Sequence, residues 1–113
     1  MAEVVIVKSL LEKIKSKFKA ESHQIIDLLE TLEDNPTKGK LLGTVGSIVI
    51  KELKYKSFRF YFLTDGFKIK CINQEELIDL LLKFVRMSDK KHQQETIQEI
   101  KQILLTIGPS GFK

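Results

Sequence analysis

The sequence is poor in the residues that build disulfide-bonded, metal-binding and membrane-spanning proteins. Its 113 residues include one cysteine, two histidines, two prolines and no tryptophan. A single thiol excludes a disulfide framework and a zinc site made of clustered thiolates. No apolar run exceeds four residues, whereas a helix that crosses a bilayer needs about 20. With no apolar leader at its start, the chain is expected to be a cytoplasmic protein without a membrane segment.

What the chain does contain is charge in a normal proportion to apolar residues. Hydrophobic residues make up 42% and charged residues 30%, which is typical of a compact globular protein. The length predicts a single domain over residues 1–113. Lysine and arginine total 19 against 15 acidic residues, a net charge of +4, and this excess permits a polyanionic partner.

The first third of the sequence predicts a strand followed by two helices. The β-branched run Val4 to Val7 is typical of a buried strand. From Ser9 the apolar spacing becomes helical, and Ser9 with Glu12 has the pattern of a capping box. A second helix follows a break near residues 20–22 and must end before Pro36. Its apolar face is built from Ile25, Ile26, Leu28, Leu29 and Leu32. So short a connection predicts an antiparallel helical hairpin.

The remaining segments are read from their glycines and their apolar spacing. Residues 35–47 contain one proline and three glycines and are predicted to form a loop. Residues 75–86 have an apolar spacing that fits either a helix or a strand. After Asp89 the spacing is helical again, and Gly108 with Pro109 ends this closing helix. The apolar residues that define it are Ile97, Ile100, Ile103, Leu104 and Ile107.

A hairpin is predicted where Asp65 and Gly66 separate two runs of alternating residues. A two-residue turn fixes the cross-strand register. The pairs predicted on the core face are Phe60 with Cys71 and Phe62 with Ile69. The opposite face is then expected to be a cationic surface with an aromatic ring set into it. Its members are Arg59, Tyr61, Lys68 and Lys70.

Most catalytic signatures are absent from the sequence. There is no glycine-rich phosphate loop, no pair of histidines at helical spacing and no serine elbow, so we expect neither a metal nor a cofactor. What remains are two basic segments, 51–59 and 83–91, each with four positive charges and one negative charge. Their cations are Lys51, Lys54, Lys56, Arg59, Lys83, Arg86, Lys90 and Lys91, followed by His92.

If these two segments are neighbouring strands, their charges form one basic patch beside Tyr61. Such a patch would neutralise phosphates while an aromatic ring stacks on an unpaired base. RNA cleavage without a metal needs a base for the 2′-hydroxyl, cations for the phosphate and an acid for the leaving oxygen. Lysine, arginine, histidine and tyrosine can fill these roles. The alternative interpretation is a solvated, lysine-rich sheet face.

The order of elements and three sequence segments resemble the RelE/ParE toxin superfamily, and most closely its HigB-like, phage-derived branch. The segments are LEDNPTKGKLL at 32–42, IKELKYKSFRFYF at 50–62 and FVRMSDKKHQQETIQEI at 84–100. Lys54 stands where that branch usually has arginine, whereas Lys90 and Lys91 keep the spacing of the family's ending. The resemblance extends over nearly the whole chain.

This resemblance implies an α+β fold in which an N-terminal strand, a helical hairpin and a C-terminal helix accompany a twisted antiparallel sheet, with a strand from about Leu80 to Arg86. It implies the toxin of a type II toxin–antitoxin pair. By charge complementarity, we expect the cognate antitoxin to cover the basic face or displace the last helix with an acidic amphipathic segment. RelE-like members cleave mRNA on the ribosome, as mRNA interferases, and ParE-like members inhibit DNA gyrase without being nucleases. A degenerate member would only bind its antitoxin.

Residue by residue, the resemblance places Arg59 where the family has an arginine that holds the scissile phosphate. The candidate catalytic residues are then Arg59, Lys54, His92 and Tyr61. The candidate RNA-binding residues are Lys51, Lys56, Lys83, Arg86, Lys90 and Lys91.

Overall fold

The computed structural model describes residues 2–66 and 81–113. These residues form a five-stranded mixed sheet accompanied by a helical hairpin and a C-terminal helix, so the predicted α+β class is confirmed. The strands are β1 (Glu3–Ile6), β2 (Lys40–Val45), β3 (Ile48–Tyr55), β4 (Phe58–Asp65) and β5 (Leu81–Asp89). The helices are α1 (Lys8–Phe18), α2 (Ser22–Glu30) and α3 (Gln93–Thr106).

The strands are ordered β1-β5-β4-β3-β2 across the sheet. β1 runs parallel to β5, and the other three pairs are antiparallel. The prediction of a wholly antiparallel sheet is therefore wrong for β1. Parallel neighbours cannot be joined by a tight turn and need a long connection. The chain between β1 and β5 provides one, since it contains the helical hairpin and three strands. The helical hairpin carries the chain from β1 at one edge to β2 at the other.

The helical hairpin packs on one face of the sheet. The ring of Phe18, at the end of α1, meets Phe58 edge-on with centroids 5.0 Å apart. The apolar stripes of the two helices are buried at Leu10, Ile14, Ile25 and Leu29. A 3₁₀ turn at Lys19–Glu21 separates α1 from α2, which agrees with the predicted break and hairpin. None of the helices in the described ranges has the length and apolarity needed to span a bilayer.

The predicted capping box at Ser9 is wrong. Helix α1 begins at Lys8, with Val7 in the N-cap position, and no side chain caps it. The backbone N–H of Val7 donates to the carbonyl oxygen of Phe84 at 3.1 Å. Because sheet hydrogen bonding continues to Val7, the helix starts directly after it and Ser9 falls within its first turn.

The predicted loop over residues 35–47 contains a strand. β2 pairs antiparallel with β3 from Lys40 opposite Glu52 to Val45 opposite Ile48. Two glycines explain why the sequence did not predict this strand. Gly43 lies beside a register shift in the pairing, and Gly46, at φ +60°, forms the turn into β3. Glycines at a bulge and a turn resemble loop composition although the chain between them is extended.

The predicted pairing of Phe60 and Phe62 is also wrong. On one side these residues pair with Leu53 and Lys51 of β3, and on the other with residues of β5. The predicted partners, Cys71 and Ile69, lie outside the described residues, as do Lys68 and Lys70. The strand expected from about Leu80 to Arg86 is confirmed in its described part as β5. β5 therefore occupies the side of β4 that the hairpin prediction had assigned to residues 67–71.

The third layer is α3, which lies on the face of the sheet opposite the helical hairpin. Alternation along β4 directs Phe60 towards Phe18 and Tyr61 towards the other side. On that other side, Glu99 of α3 accepts a hydrogen bond from Arg86, the cross-strand neighbour of Tyr61. The apolar residues of α3 buried there are Ile97, Ile100 and Leu104.

Replacement of Gly39 by alanine should destabilise the fold more than replacement of Gly46. Both glycines have positive φ, but a Cβ on Gly39, at φ +109°, would lie 2.9 Å from Cζ of Phe62 and 3.1 Å from the Glu52 carbonyl oxygen. A Cβ on Gly46 would meet nothing within 4 Å. We expect losses in the free energy of unfolding of about 1 kcal/mol for Gly46→Ala and about 3 kcal/mol for Gly39→Ala. Urea denaturation measures both, and equal losses would contradict the close approach.

Candidate nucleic-acid interface

Basic residues lie at the end of the sheet where β3 and β5 end, β4 begins and the chain leads into α3. Lys54 lies opposite Arg59 across the β3–β4 pair, and Arg59 lies opposite Ser88 across the β4–β5 pair. Cross-strand partners present their side chains on the same face of a sheet. β5 ends at Asp89. The next three residues complete the group and lead into α3. We call the set Lys54, Arg59, Lys90, Lys91 and His92 the basic site.

Arg59 is the least exposed cation of this site. It is 9% exposed, and its Nη1 donates to the carbonyl oxygen of Ser57 at 3.1 Å. Its Nε is buried without a hydrogen-bond partner, and in the described part of the chain no carboxylate forms an ion pair with it. A buried charge is costly unless it is paired, so the unused donors of Arg59 favour binding of an anion.

His92 forms a pair with Asp89 at the start of α3. Oδ1 of Asp89 lies 2.8 Å from Nδ1 of His92 and also accepts the backbone N–H of His92 at 2.8 Å. These two bonds lower the pKa of Asp89, so its carboxylate is ionised at neutral pH and only accepts hydrogen bonds. Nδ1 must therefore carry the hydrogen. In the neutral ring this leaves Nε2 with a free lone pair, as required of a general base.

Tyr61 does not form the exposed aromatic element that the sequence predicts. Its side chain is fully buried because α3 covers this face of the sheet. The Tyr61 hydroxyl lies 2.7 Å from Oγ of Ser88. The Ser88 hydroxyl donates its one hydrogen to the carbonyl oxygen of Asp89. The Tyr61 hydroxyl is therefore the donor to Ser88. Burial raises the pKa of this phenol. Tyr61 thus supports the strand ends beneath the basic site and is not available to stack on a base.

Lys51 and Lys56 are not brought to the basic site. Lys51 is three residues before Lys54 in the same strand, so its side chain lies on the opposite face. It is buried there, and its Nζ donates to the carbonyl oxygen of Thr37 at 2.8 Å. This burial lowers the pKa of Lys51. Lys56 lies in the β3–β4 turn at φ +52° and pairs with Glu21 of the helical hairpin.

Lys83 and Arg86 lie on the same face as Arg59 but are engaged elsewhere. Nζ of Lys83 donates to the carbonyl oxygen of Pro109 at 2.8 Å. Nε of Arg86 donates to Glu99 at 2.7 Å, and its guanidinium lies 5.1 Å from the ring centroid of Phe112. Both cations hold the C-terminal segment against the sheet. The prediction of a single patch that includes them is therefore wrong in this part.

Two lysines of α1 that were not predicted as site residues lie beside the basic site. A cleft of about 200 Å³ lies between α1, the end of β5 and the start of α3. It is lined by Lys13, Lys17, Phe58, Met87, Ser88, Asp89, His92 and Thr96. The spacing of Lys13 and Lys17 predicts that they share one face of α1. It does not predict that this face borders the cleft. Within residues 2–66 and 81–113, no group of three His, Cys, Asp or Glu side chains is arranged to hold a metal ion.

Comparison with known proteins gives no match to this chain. No protein-family model, no curated protein and no solved structure is similar to it. The likeness to the RelE/ParE superfamily therefore rests on the sequence segments described above, and a function must be argued from the geometry of the basic site.

Replacement of Tyr61 by phenylalanine should lower the free energy of unfolding by about 1 kcal/mol, because it removes the hydrogen bond to Ser88. The raised pKa of the Tyr61 phenol means that the folded protein keeps a proton that the unfolded chain loses above about pH 10. The free energy of unfolding of the wild type should therefore exceed that of the variant below about pH 10, and this difference should shrink as the pH rises further.

Urea denaturation at neutral and at alkaline pH measures this difference. Tyr55→Phe is the matched control, because the hydroxyl of Tyr55 makes its contact with Gln24, at 3.3 Å, in an exposed position. A difference between wild type and Tyr61→Phe that stays the same at both pH values would contradict the burial of the phenol.

Proposed function

We propose that this protein is a RelE/ParE-like toxin that cleaves mRNA on the ribosome without a metal ion. The observation that carries the proposal is the combination of two features on adjoining residues. Arg59 is a buried cation whose Nε has no hydrogen-bond partner. Its cross-strand partner Ser88 lines the same cleft as the Asp89–His92 pair. Ser88 thus connects the strand position of the anion holder to the cleft of the oriented base, and phosphodiester cleavage needs both groups.

The scissile phosphate would bind at Arg59. The guanidinium presents donors in a fixed plane that matches phosphate oxygens, and Lys54 adds a second positive charge from the neighbouring strand. Lys90 and Lys91 are exposed in the connection before α3, where they would contact phosphates on either side. Negative charge that develops on the phosphate in the transition state would be stabilised by cations already in place.

The proton transfers follow from the orientation of His92. Its Nε2 takes the proton of the 2′-hydroxyl, and the freed 2′-oxygen attacks the phosphorus. The bond from phosphorus to the 5′-oxygen breaks, and this oxygen receives a proton from the ammonium of Lys54. The products are a 2′,3′-cyclic phosphate and a 5′-hydroxyl end. The Asp89 carboxylate stabilises the imidazolium that forms.

The fold supports this proposal in outline. The resemblance implies a helical hairpin and a C-terminal helix accompanying a sheet whose basic residues come from neighbouring strands. The observed α+β arrangement, with Lys54 and Arg59 side by side, agrees with that description. A cognate antitoxin would bind the basic site with an acidic segment, because opposite charges favour such a pair. The protein would act in the cytoplasm, where ribosomes translate.

Cleavage should be lost in Arg59→Ala and lowered about 100-fold or more in His92→Gln, since general base catalysis typically contributes factors of this size. The measurement is the mapping of transcript ends after purified protein is added to ribosomes that carry a defined mRNA. Lys56→Met is the matched control. It also removes one positive charge, but from a lysine that is paired with Glu21 away from the basic site, and it should cleave as the wild type does.

Circular dichroism must show that each variant is folded. Intact transcripts in the presence of wild-type protein would refute the nuclease. If gyrase supercoiling were inhibited instead, the basic site would be a docking surface of the ParE type. If the wild type neither cleaved transcripts nor inhibited gyrase but still bound an antitoxin, it would be a degenerate member of the family.

A further inference from the structure

The cleft beside the basic site contains two cations that the proposed cleavage does not use. Lys13 and Lys17 are one helical turn apart on α1 and line the cleft together with His92. Side chains at this spacing lie on one face of a helix, with Cβ atoms about 5–6 Å apart. The remaining polar lining comes from Ser88, Asp89 and Thr96. Three of the four side chains here that can bear charge are thus basic.

Neither lysine is held in an ion pair within the described residues, although the charge of Lys17 is the smallest of the causes that lower the pKa of Asp89. The ammonium of Lys17 lies 5.3 Å from the ring centroid of Phe58, a contact that orients the charge without cancelling it. Asp89, the one carboxylate among the described residues that line the cleft, is engaged with His92. The pair of lysines therefore remains available to an external anion.

A peptide strand is a poor occupant of this cleft, although no described residue pairs with β5 beyond Phe84 on the side of β1. Addition of a strand requires an accessible backbone edge. Val85 is 0% exposed, Met87 5% and Ser88 8%, because α1 covers that edge. Contact must instead be made through the lysine side chains above it, and this favours a ligand recognised by its charges.

The position of the cleft relative to Arg59 indicates a path for a polyanion. Arg59 and Ser88 face the α3 side of the sheet, whereas Asp89, opposite Phe58, is directed towards the side of α1. Ser88 is also part of the cleft lining. A chain bound at Arg59 would thus turn around the end of β5, pass His92 and reach Lys17 and then Lys13.

We propose that Lys13 and Lys17 form a second phosphate subsite, which binds the RNA strand beyond the phosphate held by Arg59. This inference rests on the proposed function, because it assigns the path of the same substrate. It makes the two lysines positioning residues: they align the strand so that its 2′-hydroxyl reaches His92, and they take no part in proton transfer.

The test is the salt dependence of binding to a single-stranded RNA oligonucleotide with 2′-O-methyl groups, which cannot be cleaved by the proposed route. Fluorescence anisotropy gives the affinity at several salt concentrations. For a double variant Lys13→Gln with Lys17→Gln, we expect several-fold weaker binding. The slope of log affinity against log salt should fall by about 1.4, because each lost contact to a single strand accounts for about 0.7.

The matched control is the double variant Lys8→Gln with Lys15→Gln. It removes the same charge from the same helix, at two exposed lysines outside the cleft, and its slope should stay within about half a unit of the wild type. Equal slopes for the two double variants would overturn the subsite. The subsite would also be overturned if a polyglutamate peptide displaced the labelled RNA as effectively as unlabelled RNA of the same charge.

Different results would refute the proposed subsite and the proposed nuclease activity. If the wild type cleaves mRNA and Arg59→Ala does not, but the cleft variant cleaves with unchanged kcat/KM, only the subsite is refuted. If the wild type neither binds nor cleaves RNA, the proposed function itself is refuted and the subsite with it. Recovery of binding by Lys13→Arg with Lys17→Arg would support a charge contact over a packing role.

Discussion

The burial of β4 on both faces and along both edges is the constraint on which the rest of the structure depends. Phe60, Tyr61 and Phe62 have no exposed surface, because helices cover both sides of the sheet and β3 and β5 pair with the strand. Arg59 directly precedes this stretch and is drawn out of water with it. The described protein groups replace the lost hydration at Nη1, through the carbonyl oxygen of Ser57, but not at Nε, and a bound phosphate would compensate the charge.

Strand alternation decides which cations can act together. β3 sends Lys54 to the face of Arg59 and Lys51 to the face of the helical hairpin, where its ammonium serves the carbonyl oxygen of Thr37. The net charge of a segment is therefore a poor guide to the charge of a surface. Of the eight lysines and arginines in the two basic segments, four are held in internal contacts away from the basic site. They are Lys51, Lys56, Lys83 and Arg86.

Apolar periodicity was sufficient to predict the helices, β1 and the central part of the sheet, but it did not predict the register. The turn signal at Asp65–Gly66 is strong in composition, yet β4 takes its partners from β3 and β5. The turn that sets the β3–β4 register joins Tyr55 to Phe58 through Lys56. Lys56 has positive φ without being glycine, asparagine or aspartate, so the sequence gives no turn signal there.

The candidate site was predictable to a similar extent. Arg59 and His92 were identified from the resemblance, but the hydrogen bond that makes His92 a base depends on Asp89 ending a strand one turn before it. β5 itself could be distinguished from a helix only through that resemblance, since its apolar residues fit both. Lys13 and Lys17 were missed because helical periodicity shows which residues share a face but not what that face lies against. That information comes only from tertiary packing.

The position of His92 also implies that, under the proposed function, binding and cleavage would be separable at this surface. Arg59 is fixed within the sheet, whereas His92 belongs to the connection between β5 and α3 and is held by its bonds to Asp89. A phosphate can bind at Arg59 whatever the orientation of the imidazole. Cleavage additionally requires Nε2 to lie within hydrogen-bond reach of a 2′-hydroxyl, and misplacement by about 1 Å can cost a factor of 100. A surface of this kind can therefore lose catalysis through small changes at the β5–α3 junction and still bind its polyanion.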